Sequence, residues 1–136
     1  MFALAPVIKT RLAALPALTG WQLRSNLDEV PRTAYPAVEI RVEEGGGADR
    51  GGAALVDVGW GVHLIVTKGE TAADQLDAAF TEVVAALHNW KPGTAGGVPW
   101  SPLKLSKVEP SDIAEQGLVA HSLIFRTTAT LVGQKP

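Results

Sequence analysis

At 136 residues the chain fits one domain, 1–136, large enough to bury about two thirds of its unfolded surface without covalent staples. It has no cysteine, which excludes disulfides, thiolate metal sites and thiol nucleophiles. A formal net charge of -2 with interspersed signs gives no global electrostatic reason to bind DNA or RNA, and no apolar stretch approaches the ~20 residues that span a bilayer.

From Phe2 to Leu18, the residues Leu4, Ile8, Leu12 and Leu15 keep a helical step, and Thr19-Gly20 closes the pattern. Lys9 and Arg11 interrupt what would have to be the apolar region of a signal peptide, as do Pro6 and Pro16, so the segment reads as a mature amphipathic helix. Trp21 to Arg24 alternates as a short strand, and Ser25 to Pro36, with its prolines and polar cluster, is a loop. Val38, Ile40 and Val42 then alternate with Glu39, Arg41 and Glu43 as a half-buried strand.

Residues 44–52 are rich in glycine and read as a flexible tip between strands. In the strand that follows, Ala54, Val56, Val58, Trp60, Val62, Leu64 and Val66 share one parity, and Gly59 and Gly61 on the other suggest a bend or bulge in it. Leu76, Phe80, Val83, Leu87 and Trp90 recur at steps of four and three, which predicts the main core helix. Thr71 and Asp74 form a variant capping box at its start, while Lys91 suits its last turn and Pro92-Gly93 stops it. A Gly/Pro-rich loop leads to a short strand from Leu103, a polar turn over 109–116, a last long strand from Gly117 to Leu131, and a frayed tail over 133–136. The order α-β-β-β-α-β-β predicts an α+β, two-layer domain, with two main helices packed on one face of a mainly antiparallel sheet.

Candidate chemistry is sparse. His63, His88 and His121 show no metal spacing. His63 falls on the more polar face of a strand, His88 at a helix end, and His121 beside Val119 and Leu123 as a neutral core histidine. No serine sits in a Gly-x-Ser-x-Gly elbow, and the pairs Asp28/Glu29, Glu43/Glu44 and Asp74/Asp77 are explained by loops and helix-dipole compensation. The glycine tip joins strand to strand and lacks the Lys-Ser/Thr of a phosphate loop. Trp60 and Trp90 read as core. Trp100, in a loop between Pro99 and Ser101, is either an interface anchor or a cover over the core.

The helix from Leu76 to Trp90 with its exit Trp90-Lys91-Pro92, the strand start Pro102-Leu103-Lys104-Leu105, and the run Gly117 to Phe125 resemble the tail terminator, or tail completion, proteins of Mu-like contractile-tailed bacteriophages and related prophages. Leu15-Pro16-Ala17-Leu18 and Tyr35-Pro36-Ala37-Val38 fit the same layout. The resemblance implies a non-catalytic virion assembly protein, with no cofactor or metal, that caps the tail tube and terminates or completes the tail. Its implied partners are the tail tube, the sheath and head-completion proteins. It implies a homo-oligomeric, hexameric ring when assembled, compatible with a monomer in solution; charge and hydropathy point to no nucleic acid or membrane partner. The implied location is the bacterial host cytoplasm during assembly and then the virion tail. Predicted exposure alone nominates Glu43, Glu44, Asp49, Arg50, Trp100 and Arg126 as interface residues. The alternative is a small-molecule binding module or enzyme whose pocket lies between the long helix and the sheet.

Overall fold

The computed structural model describes residues 1–113 and 115–134; the end of the predicted frayed tail, 135–136, lies outside them, as does Ala114 of the predicted polar turn. The elements run α1 (Leu4–Ala13), β1 (Gln22–Ser25), β2 (Ala37–Asp49), β3 (Ala53–Thr67), α2 (Ala72–Leu87), β4 (Gly93–Ala95), β5 (Val98–Trp100), β6 (Lys104–Pro110) and β7 (Leu118–Val132). A five-stranded sheet has the order β1-β2-β3-β7-β6. Only the β1–β2 pair is parallel, and the other three pairs are antiparallel. The fold is α+β, in the expected order, with an added two-stranded hairpin, β4–β5.

Alternation sets the core. Val38 and Ile40 of β2, Val58, Trp60, Val62 and Leu64 of β3, and Leu123 and Phe125 of β7 meet Leu4, Ile8 and Leu12 of α1 and Val83 and Leu87 of α2 in one buried cluster. The register is in step, because Trp60 pairs Phe125 and Val62 pairs Leu123, so each side chain on this face has an apolar neighbour across the ladder.

Local chemistry moves several boundaries. The first helix ends at Ala13, and Pro16–Leu18 is a separate 3-10 turn, because a proline inside the helix would forfeit a hydrogen bond and strike the preceding turn. The second helix starts without the predicted capping box, since Thr71 is helical in φ and ψ and its side chain makes no cap hydrogen bond. It also ends earlier, at Leu87, with no basic residue in its last turn. Asn89 takes the left-handed conformation, φ 66°, that reverses the chain, so Trp90 lies beyond the helix. The buried face of α2 is Ala79, Val83, Ala86 and Leu87, where two alanines let the helix approach the sheet. Phe80, predicted on the core stripe, is 38% exposed at the rim of that face.

Residues 44–49, expected as part of the flexible tip, are strand. Glu44 to Asp49 pair in register with Gly59 to Ala54, and the turn itself is confined to Gly51-Gly52 at φ 62° and 93°. Arg50 and Ala53 exchange both backbone hydrogen bonds around it, the geometry of a tight hairpin in which both central residues need positive φ. The irregularity predicted in β3 lies in its partner instead, where β2 bulges between Val42 and Glu44. Glu109 and Pro110, expected in a turn, end strand β6.

Candidate functional site

The helices cover one face of the sheet. On the other face the register aligns Arg24, Glu39, His63, Ser122 and Glu109 in one row across all five strands. Arg24 is 2% exposed, Glu39 6% and His63 2%. Polar and charged groups buried to this degree persist only when hydrogen-bonded, and the charges only when paired.

Arg24 Nε donates to Glu39 Oε1 at 3.1 Å and Arg32 Nε to the same oxygen at 2.9 Å. Arg24 Nη1 also donates to Gln22 Oε1 at 2.8 Å, and its guanidinium lies 5.6 Å from the centre of the Tyr35 ring. Burial pushes the Glu39 carboxyl up, but the hydrogen bonds from Arg32 and Arg24, with their charges, outweigh it and hold the group below the ordinary glutamate range. The segment from 26 to 36 is thereby drawn over the sheet. Asp28 anchors its start, accepting from the Ser25 N–H at 2.8 Å and from Lys9 Nζ at 3.2 Å, and both contacts lower its carboxyl.

The β2 bulge turns Glu43 across β3. A Cβ on Gly61 would lie 2.4 Å from Glu43 Cγ, so glycine is what lets this side chain cross to His63. Glu43 Oε1 contacts His63 Nε2, Arg41 Nε lies 3.1 Å from both of those atoms, and His63 Nδ1 is 2.6 Å from Ser111 Oγ. Arg41 also contacts Asp112. Ser, His and Glu in a line is the order of a nucleophilic relay. Here the serine oxygen also accepts the Ile113 N–H at 3.1 Å, and the imidazole is enclosed between Arg41, Glu43 and the sheet. The arrangement braces the β6–β7 connection against β2 and β3.

A second cluster stands one pair of rows further along. Glu44 and Arg126 meet across Gly59, where a Cβ would lie 3.3 Å from Glu44 Cβ. Arg126 Nη2 reaches Asp57 Oδ2 at 3.0 Å, and Lys107 Nζ donates to Glu44 Oε1 at 2.9 Å. Among the described residues no three His, Asp or Glu side chains stand where they could hold a metal ion together.

Of the nominated interface residues, the structure thus brings Glu44 and Arg126 together, places Glu43 with His63, and leaves Asp49 and Arg50 exposed at the hairpin end. Trp100, considered as an exposed anchor, is 1% exposed; its Nε1 donates to Ala95 O at 3.3 Å, and the β4–β5 hairpin folds it into the core. Trp90, expected in the core, is half-buried with the Arg11 guanidinium 5.3 Å from its ring centre. His63 is far more buried than its polar strand face suggested, because loops cover that face. His121 is exposed, not a core histidine. His88 is exposed at the helix end, and its Nδ1 accepts the Leu105 N–H at 3.0 Å.

His121 is exposed because α2 leaves a gap beside it. Leu64, Leu76, Phe80, Val108, His121 and Leu123 line an open groove of about 370 Å³ between α2 and the sheet, where the predicted pocket falls.

No protein-family model matches the sequence, and no curated protein matches it. Among solved structures, the fold is similar to a chain of one described as "Virion of native gene transfer agent (GTA) particle", with a TM-score of 0.68 and 16% identity, over 94% of this chain and 95% of that one. This likeness establishes a shared fold.

Two outcomes test the buried cluster. The folded Glu39 carboxyl titrates below its unfolded value, so its stabilisation is complete above about pH 5 and is lost as pH falls through the folded value. Glu39→Gln leaves Arg24 buried beside a neutral partner; it is expected to cost about 3 kcal/mol at pH 7. In thermal melts its stability should fall less steeply below about pH 4 than the parent's, and parallel acid limbs would refute the linkage. Gly61→Ala is expected to cost about 1–3 kcal/mol by displacing Glu43 from His63. In a Glu43→Ala background the same change should be nearly neutral, a coupling that a double-mutant cycle in urea measures directly.

Proposed function

We propose that this chain is a subunit of a phage-like virion, acting at the end of the tail tube as a terminator or completion protein. The observation that carries the reading is a fold likeness that runs nearly end to end in both chains, so that it concerns a whole domain and not a borrowed supersecondary piece. The resemblance of residues 76–105 and 117–125 to tail terminators points the same way and supplies the finer role. The reading is non-catalytic: the part-buried Glu43–His63–Ser111 contacts act as a brace, and the work is done by surface. In it the chain assembles on the tube end as a homo-oligomeric ring, contacts tube, sheath and head-completion proteins, and resides in the host cytoplasm before entering the virion tail.

Electron microscopy tests this. Purified chain added to tail tubes from the same genetic element should cap one end, and lysates lacking the chain should contain overgrown tubes. Identical tube-length distributions with and without it would sink the assignment, as would a gene placed in a metabolic operon.

The groove beside α2 favours one second reading, a small apolar ligand held between Phe80, Leu76 and Val108 near His121. A ligand of that kind should raise the melting temperature with the logarithm of its concentration, and Phe80→Ser should abolish the shift.

A further inference from the structure

Beyond the helices, β2, β3 and β7 continue as a three-stranded arm. β1 pairs only with Ala37 to Ile40, so the outer edge of β2 from Gly45 to Asp49 carries no strand among the described residues. On the opposite side β6 pairs β7 only from His121 to Arg126, and Ser101 bonds to Thr128, which leaves Ala129 to Val132 with an open outer edge. Among the described residues the arm therefore has two unpaired edges on opposite sides. Neither carries the proline or lysine that blunts a sheet edge against pairing.

Gly45, Gly46 and Gly47 lie in mid-strand on the first edge. The other glycines within strands are explained locally, by a close side chain at Gly59 and Gly61 or by positive φ at Gly93, as are Gly51 and Gly52 of the turn by positive φ. These three have neither reason: none has positive φ, and an added Cβ would meet nothing within 4 Å at Gly46 and only ordinary contacts at Gly45 and Gly47. Glycine weakens a strand relative to alanine, so the chain keeps a destabilising run that its own fold does not require. A run without side chains gives another backbone or a bulky side chain room to approach closely from outside. The other edge presents the complement, with Val132 93% exposed and Leu131 37% exposed.

We propose that this arm joins copies of the chain: the bare β2 edge at Gly45–Gly47 of one copy receives the β7 edge at Ala129–Val132 of the next, which extends the sheet across the contact. Pairing two β2 edges would set glycine against glycine and leave Leu131 and Val132 uncovered. Pairing β2 with β7 gives backbone hydrogen bonds and covers the apolar side chains with glycine backbone. Each copy then gives one edge and receives on the other, a head-to-tail contact. The inference rests on reading the chain as an assembly subunit, and it names the surface that reading leaves open.

The chain has no cysteine, so engineered thiols report the contact without background. Gly46→Cys chains mixed with Val132→Cys chains under mild oxidation, at the highest soluble concentration and again with tail tubes present, should form the mixed disulfide at least tenfold above a Gly69→Cys and Val132→Cys control, since Gly69 lies at the far end of the sheet. Adding Gly46→Val to the partner bearing Gly47→Cys should lower the yield of its Val132→Cys disulfide about tenfold, while the isolated Gly46→Val chain keeps or raises its melting temperature. Control-level crosslinking in both conditions, or a Gly46→Cys homodimer as the main product, overturns the proposal. Tubes capped by the wild-type chain without that crosslink would reject the arm contact and leave the capping role standing; crosslinking without capping would do the reverse.

Discussion

A mainly antiparallel sheet with helices on one face can leave its other face to water, but here that face buries Arg24, Glu39 and His63, and the rest of this structure follows from how those groups are met. The open face carries Arg24, Glu39 and His63 in one row, and burying such groups costs several kcal/mol apiece unless partners meet them. Glu39 receives two guanidinium groups and His63 is enclosed by Arg41, Glu43 and Ser111. Of these partners, Arg24, Arg41 and Glu43 stand on β1 and β2, while Arg32 comes from segment 26–36 and Ser111 from 111–113, so each covering loop is tied down by a group it covers. The same row fixes register: a one-residue slip of β2 or β3 would carry Glu39 or His63 into the helix-covered core and expose Ile40 or Leu64.

What was legible in the sequence follows the same division. Alternation in β2, β3 and β7 and the 3.6 periodicity of α1 and α2 report burial under helices, and that layer is as expected. The covered charge row was invisible, because a strand reading Glu39, Arg41, Glu43 looks like a solvated face. Glycine was misread twice for one reason. Its permissiveness suggested a loose tip at 44–52 and a bend at Gly59 and Gly61, whereas extended backbone accepts glycine whenever a flanking strand continues, as β3 does here. Trp100 was left between an interface anchor and the core cover it turns out to be, because the β4–β5 hairpin that buries it depends on Gly96 and Gly97 at positive φ, which reads locally as a loop. Phe80 and His121 were placed by period alone, which gives the face of an element but not how far its neighbour extends over that face.

The two charge clusters differ in kind. In the first cluster the central groups, Arg24, Glu39 and His63, are buried and removal of one partner strands another, so that cluster sets the conformation. Around Glu44, Asp57, Lys107 and Arg126 the side chains are partly solvated, and single pairs of this type contribute little. Their value lies in position. Glu44, Gly59 and Arg126 stand in register across β2, β3 and β7, immediately past the β2 bulge, where β6 stops and the arm begins.

That position bears on assembly. A bulge increases local twist and bends the strand that carries it, and the β2 bulge between Val42 and Glu44 falls at the root of the arm. Head-to-tail contacts close into a ring only when the rotation between successive copies divides a full turn; otherwise they run on as a filament. An arm that flexed at its root would sample both outcomes. Four charged side chains from β2, β3, β7 and β6 clasped across the root, with Gly59 leaving room for Glu44 to reach Arg126, restrain that flexing. In a chain whose arm joins copies, this weak and partly solvated network therefore bears less on whether the monomer folds than on which closed assembly its edges can build.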